Sequence, residues 1–180
     1  MEFLEISSEL AEILGLLCSE GCHSISYSNY LGKDRGKPRY FRNDKSEKIE
    51  FFNKDVKLLR HYQNLLAKEF SYYPRIGSRN KILICKINII NKVIYHTKLS
   101  HMNWSVPCSV INGSINVKWA FLRGFFDGDG TFSGNRPRIF STNKKGLKQI
   151  SSLLEELGIS HTFSNPILKQ GRKPFYVIRI

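Results

Sequence analysis

The sequence predicts a mixed α+β fold made of two αββαββ-like halves related by a pseudo-two-fold axis, and three observations predict it. An order of apolar helix, strand pair, helix and strand pair runs through the chain twice. Two of the helices end alike, in an acid and a glycine: ILGLLCSEG over Ile13 to Gly21 and LRGFFDGDG over Leu122 to Gly130, with the terminal acids Glu20 and Asp129 109 positions apart (129 minus 20). Shorter echoes fall in the same order, FFNKD from Phe51 against STNKK from Ser141, and ICKI ending at Ile87 against VIRI ending at Ile180.

The first half opens with Met1 to Gly21. Ser7 or Ser8 caps a helix whose apolar positions Leu10, Ile13, Leu14 and Leu17 recur at helical spacing, with Glu9 and Glu12 on the other face. Cys22 to Leu31 alternates Ile25 and Tyr27 with Ser24, Ser26 and Ser28, the pattern of a half-buried strand. A basic, glycine-punctuated turn leads into a second strand that finishes at Ile49 to Phe52. Asn53 is expected to cap the next helix, which carries Val56, Leu59, Tyr62, Leu66 and Phe70 on its apolar side. Tyr72 to Gly77 and Lys81 to Ile89 are expected as a strand pair, and a helix from Asn91 to His101 closes the half. Met102 to Gly113, holding Trp104 and Pro107, has no periodicity and reads as a connector. The chain therefore divides into residues 1–101, a linker at 102–115, and residues 116–180.

In the second half a helix from Asn116 to Gly128 precedes strands at Thr131 to Ser133 and Arg138 to Thr142. Asn143 caps NKKGLKQISSLLEELG, with Gly158 as its stop, and strands over Ser160 to Lys169 and Pro174 to Ile180 come last. This matches Asn53 with Asn143 as caps, and Lys86 with Arg179 as strand positions. No counterpart of the Asn91 to His101 helix follows before Ile180, so the second half is expected to dispense with that helix or to be shortened.

At 180 residues the chain is long enough for one sizeable core or two small halves packed together. A net charge of +13 and a pI near 9.7 argue for a polyanionic partner, nucleic acid first and an anionic membrane surface second. The membrane reading loses ground because no apolar run reaches spanning length, and the first residues lack the basic-then-apolar pattern of a secretory signal. Cys18, Cys22, Cys85 and Cys108 have no paired CxxC spacing and read as reduced thiols of an intracellular protein, cytoplasmic or organellar. His23, His61, His96, His101 and His161 form no HxxxH or HExxH pattern and read as packing or surface residues. The charges are uneven: Met1 to Gly32 holds five glutamates and no Lys or Arg, whereas Ser71 to Phe126 holds eight Lys or Arg and no carboxylate. A polyanion meets the second kind of surface and avoids the first.

The acid-ended helices carry the chemistry. Carboxylates are unfavourable at a helix C-terminus, where the macrodipole is already negative, so a cation is expected there. Hard oxygen ligands suit Mg²⁺, held by one or two carboxylates plus a phosphate. Two helices crossing side by side approach closely where small residues meet, and both supply them four apart, Gly15 with Ser19 and Gly124 with Gly128. Close packing brings Glu20 and Asp129 to one edge of the interface, and a carboxylate from each half beside a scissile phosphate is what metal-assisted phosphodiester hydrolysis asks for.

Both nine-residue stretches resemble the signature of the LAGLIDADG homing endonucleases, and two copies in one chain resemble the monomeric, two-motif members, particularly the small archaeal intron-encoded ones. The resemblance implies antiparallel sheets forming a DNA-binding saddle with the two motif helices packed at the interface. It places the metal on Glu20 and Asp129, with the backbone carbonyls of Ser19 and Gly128 as further ligands, and leaves Asp127 out, since its counterpart is Cys18. Basic residues around the cleavage centre are Lys54, Lys86 and Arg179, positioned to offset charge growing on the phosphate. The mixed pair of one Glu and one Asp departs from symmetry and is expected to make the two strand cuts unequal.

The resemblance also assigns recognition to the strands, which read the major groove. The candidates are Ser26, Ser28, Tyr30, Arg35, Arg39, Arg42, Asn53, Arg75, Arg79 and Lys81 in the first half, and Arg136, Arg138, Lys169, Arg172 and Lys173 in the second. The implied activity is site-specific, Mg²⁺-dependent cleavage of both strands of a long DNA target, with Mn²⁺ or Ca²⁺ able to occupy the same sites, leaving 5′-phosphate and 3′-hydroxyl ends with a short 3′ stagger. The implied partner is double-stranded DNA, bound by a monomer without a membrane. Two alternatives stand beside it: a maturase that binds intron RNA, and a DNA-binding regulator that has kept the fold without catalysis.

Overall fold

The computed structural model describes residues 5–32, 40–100, 102–168, 170–171 and 173–180. Helix α1 (Ser8–Glu20) starts where the Ser7 hydroxyl accepts from the N–H of Leu10, at 3.0 Å. Every residue from Leu10 to Cys18 is buried, so this helix is enclosed all round rather than amphipathic. It runs directly into β1 (Gly21–Gly32), which pairs antiparallel with β2 (Tyr40–Phe52). Helix α2 (Val56–Phe70), strands β3 (Ile76–Gly77) and β4 (Lys81–Ile84), and helix α3 (Ile87–His96) complete the first half. After the short α4 (Cys108–Ile111), the second half follows with α5 (Ile115–Asp129), β5 (Gly130–Ser133), β6 (Arg136–Ser141), α6 (Lys144–Glu156), β7 (Thr162–Phe163) and β8 (Tyr176–Arg179).

The two sheets have one topology, β1-β2-β4-β3 and β5-β6-β8-β7, with every pairing antiparallel. Alternation then decides which face is core. Ile49, Phe51, Ile82 and Ile84 are buried on one face of the first sheet, as Ile139 and Ile178 are in the second. Each such side chain contributes roughly 1.5–3 kcal/mol on burial. The opposite face of the first sheet carries Ser24, Ser26, Lys48, Glu50, Lys81 and Leu83; that of the second carries Thr131, Arg138 and Arg179.

The register corrects two of the expected matches between halves. Gly21 lies opposite Phe51 and Phe51 opposite Ile82; Gly130 lies opposite Ile139 and Ile139 opposite Ile178. Phe51 is therefore equivalent to Ile139, which makes Asp55 the counterpart of Asn143. The caps agree: the Asp55 carboxylate accepts from the N–H of Lys57 at 2.8 Å, and the Asn143 side chain accepts from the N–H of Gly146 at 3.0 Å. Asn53 is not the cap. Its Oδ1 accepts from the N–H of Asp55 at 2.8 Å, as Ser141 Oγ accepts from the N–H of Asn143 at 3.1 Å in the equivalent place. By the same register Arg179 matches Leu83, not Lys86, which lies past the end of β4 at the entry to α3.

Three boundaries also move. Helix α3 begins at Ile87 rather than Asn91 and ends at His96, and the expected strand pairs around β3 and β7 shrink to two residues each. The expected linker is part of the core: Trp104, Val106 and Val110 are buried, and the Trp104 ring lies 4.7 Å from that of Phe125. A Cβ on Gly146 would come within 2.5 Å of the Trp104 ring, so α6 closes on it from the other side. Gly158 does end α6, at φ +71, with its N–H donating to Glu155 O and that of Ile159 to Leu154 O.

Candidate active site

The site is built by the crossing of α1 and α5. A Cβ on Gly15 would overlap the carbonyl oxygen of Phe121 and lie 2.8 Å from the N of Phe125; one on Gly124 would overlap the carbonyl oxygen of Glu12 and lie 3.1 Å from the N of Leu16. The backbones therefore touch where the glycines are. A turn further on, a Cβ on Gly128 would overlap Ser19 Oγ and approach Glu20 Cγ to 3.2 Å. Gly15, Ser19, Gly124 and Gly128 thus all lie at the crossing.

Both helices end abruptly, α1 at Glu20 and α5 at Asp129, because the next residue, a glycine, is already in extended backbone and starts a strand. The two carboxylates arrive together. Burial pushes Glu20 above the usual carboxylate range, and burial with the neighbouring Glu20 charge pushes Asp129 up to about 7. No positive group offsets Asp129 among the described residues. A pair of crowded, half-buried acids without a counter-charge fits a hard divalent cation. Among the described residues no three His, Cys, Asp or Glu side chains gather, so a cation on the two carboxylates would take its remaining oxygens from elsewhere; the resemblance implies the backbone carbonyls of Ser19 and Gly128.

A cavity of about 280 Å³ opens beside Asp129, lined by Ser19, Trp104, Phe140, Ser141, Thr142 and Phe175. Sequence reasoning missed most of this lining. With Asp55 aligned on Asn143, however, Ser141 and Thr142 become the counterparts of Asn53 and Lys54, which places those two on the Glu20 side of the pseudo-two-fold.

Asp127 stands apart from this pair. Burial and Glu12 raise it, while His61 and Arg123 pull the other way. Its counterpart Cys18 is a buried thiol pushed up to about 12 by burial, with Thr97 Oγ1 3.7 Å away. The Glu12 carboxylate, buried at 1% exposure, is bonded from both halves, by His61 Nε2 at 2.6 Å and by the Arg123 guanidinium. Burial alone would raise its pKa, but the two hydrogen bonds and their charges hold it below the usual range.

The remaining candidates are dispersed. Lys54 is exposed between β2 and α2, and Lys86 is exposed with its Nζ 4.6 Å from the Tyr72 ring centroid. Arg179 is exposed at the end of β8. Ser26 and Ser28 are exposed on β1, Arg75 and Arg79 flank β3, and Lys81 lies in β4 with its Nζ 3.3 Å from Glu50. Tyr30 and Arg42 are paired with each other in β1 and β2. Arg136 is exposed and Arg138 half-buried on β6, while Lys173 is exposed, its Nζ 3.0 Å from the Met102 sulfur. Arg35, Arg39, Lys169 and Arg172 lie outside the described residues. None of the four cysteines is in a disulfide, and no described helix is long and apolar enough to cross a membrane.

Comparison with known proteins agrees with this geometry. Residues 116–180 match the family model of the LAGLIDADG-like domain. Among curated proteins the chain is similar to a DNA polymerase of Thermococcus sp. (strain GE8), 27% identical over 88% of this chain and 8% of that protein. It spans under a tenth of the first polymerases it matches. Among solved structures, mesophilic variants of the homing endonuclease I-DmoI superpose with a TM-score of 0.65 at 20% identity, covering 96% of this chain and 87% of theirs. I-DmoI in complex with DNA and Ca superposes with a TM-score of 0.64 at 19% identity, covering 96% and 82%. Residues 116–180 match the LAGLIDADG-like domain, and the chain as a whole shares the fold of the homing endonuclease I-DmoI.

Proposed function

We propose that this chain is a site-specific DNA endonuclease that cuts both strands of a long duplex target with a divalent metal, Mg²⁺ first and Mn²⁺ or Ca²⁺ in the same sites. The ends are 5′-phosphate and 3′-hydroxyl with a short 3′ stagger, and one chain acts as a monomer because it supplies both acids. The observation that carries the reading is the meeting of Glu20 and Asp129 across the glycine contacts of α1 and α5, with no positive group offsetting Asp129 among the described residues. When bound, a divalent cation supplies Lewis-acid stabilisation of charge on the scissile phosphate.

The protein's own contribution is placement. The glycine contacts hold the acids at one edge of the interface, with Ser19 and Gly128 in contact in the same turn, and the exposed sheet faces offer polar and basic side chains to duplex DNA. The structure of I-DmoI named above holds DNA and Ca, which supports duplex DNA and a divalent ion as partners; the RNA-splicing alternative has no comparable support. The retained pair of acids argues against a purely regulatory role.

The test is cleavage of a plasmid carrying the uninterrupted host-gene junction, with Mg²⁺ and with chelator. Linear product in Mg²⁺ alone is the expected result. Tight binding of that junction with no cutting under any divalent metal would sink the nuclease reading.

A further inference from the structure

Glu50 puts a carboxylate on the face of the first sheet turned away from Ile49, Phe51, Ile82 and Ile84, the face proposed above to meet duplex DNA. The phosphate backbone repels an acid, so a lone carboxylate there would weaken binding of every sequence alike. Glu50 is not alone. Lys48 Nζ lies 3.0 Å and Lys81 Nζ 3.3 Å from its Oε1, and the two ammoniums, Lys48 foremost, hold its carboxyl below the usual range against the cost of burial. The carboxylate is thus ionised and its charge is more than offset. Both lysines take the same oxygen, and Oε2 accepts no hydrogen bond among the described residues although the side chain is 28% exposed. Cys22 lies directly opposite Glu50 and two residues past Glu20, so the cluster stands one strand step from the candidate metal edge.

An ionised carboxylate can only accept hydrogen bonds. In the major groove the donors on base edges are cytosine N4–H and adenine N6–H. Adenine sets the acceptor N7 beside N6, where it would face the second carboxylate oxygen; cytosine carries a C–H in that place, so the carboxylate favours cytosine. The guanine paired with that cytosine offers O6 and N7 to an ammonium. Cytosine N4 and guanine O6 are themselves hydrogen-bonded, about 3 Å apart. Glu50 Oε1 and the two lysine nitrogens, at 3.0 and 3.3 Å, present acceptor and donor at the same spacing.

We infer that Glu50, flanked by Lys48 and Lys81, reads one G·C pair of the target in the half-site under the first sheet, its carboxylate accepting from cytosine N4–H and an ammonium donating to guanine O6 or N7. This rests on the DNA reading above and adds to it one base preference and the residue that sets it. The lysines offset the repulsion between carboxylate and backbone, so Glu50 discriminates among bases without barring the duplex.

The test is competition binding by the full chain in Ca²⁺, across the host-gene junction duplex and every single base-pair replacement of it. For the parent, replacing one G·C pair of that half-site is expected to weaken binding about tenfold. Glu50→Gln keeps the shape of the side chain but can both donate and accept, as adenine N6 and N7 require, so it should move the preference at that pair to adenine. Glu50→Ala should erase the preference there, and both variants should leave every other pair as in the parent. Glu50 is part-exposed on a sheet face, so neither change opens the core. Uniformly tighter binding of all duplexes by Glu50→Gln, with the parental preference kept at every pair, would overturn the inference and leave the cluster an ordinary surface ion pair. A loss shared equally by all duplexes would overturn it too. A parent without preference at any pair would sink the site-specific DNA reading and this inference with it, whereas a parental preference that survives in Glu50→Gln sinks the inference alone.

Discussion

Gly128 on α5 faces Ser19 on α1 so closely that a Cβ on the glycine would overlap the serine hydroxyl oxygen, although the two residues are 109 positions apart and occupy matched places in the two motifs. One site needs a small side chain and its counterpart needs none. Exchanging them, Ser19→Gly with Gly128→Ser, places the same hydroxyl at the pseudo-symmetric position. Gly128→Ala alone is expected to cost about 1–3 kcal/mol, and the exchange to recover most of that, measured by denaturant unfolding.

Gly15→Ala should be worse than Gly128→Ala. At Gly15 the added methyl meets backbone of Phe121 and Phe125, which cannot rotate away, whereas at Gly128 it meets the end of a serine side chain. A loss of about 3 kcal/mol or more, or roughly 6–12 °C in Tm, is expected, and equal losses at the two glycines would contradict the backbone contact.

The crowded acids make a stability prediction with a definite sign. Asp129 is raised from its ordinary value to about 7, so the folded protein binds that proton more tightly than the unfolded chain does. Its contribution is fully present below the unfolded pKa near 4 and is lost as pH rises through 7. Asp129→Asn should therefore stabilise the metal-free protein by upward of about 1 kcal/mol at pH 8 and by little at pH 4.5. A divalent cation should reverse the order, stabilising the parent by about 2.7 kcal/mol at a hundredfold excess over Kd and Asp129→Asn far less. Thermal unfolding at both pH values, with and without Mg²⁺, checks this.

Glu12 behaves oppositely. Its carboxyl is held low by Arg123 and His61 against the cost of burial, so its stabilisation is present above the unfolded value and lost as pH falls through the folded one. Arg123→Leu leaves a buried charge short of a partner and should cost about 3 kcal/mol at pH 7. Adding Glu12→Leu should restore most of the loss, and a strictly additive pair in a double-mutant cycle would show that the contact carries no coupling.

Much of this was legible in the sequence because the signals are local. The Ser7 and Asn143 caps, the Gly158 stop and the apolar run of each motif helix are written within a few residues of where they act. Asn53 misled because it and Asp55 both make short Asx hydrogen bonds, and only the register shows which one starts the helix. Helix α3 began unannounced, since Lys86 makes no side-chain cap bond. The connector gave no sign of its core role because Trp104 is buried by partners 21 and 42 residues away, Phe125 (125 minus 104) and Gly146 (146 minus 104). The Glu12–Arg123 pair and the Arg138–Arg179 face join segments far apart in the chain and leave no periodic trace.

The candidate site exists only where two halves meet, and this is tested most directly by cleavage rates of Glu20→Gln, Asp129→Asn and the double variant on the host-gene junction in Mg²⁺. Acids acting as one unit give grossly non-additive losses. Each single substitution should slow double-strand cleavage by at least about a hundredfold, with the double variant little worse. Parental rates in either single variant, or losses that multiply as independent factors, would contradict a shared site.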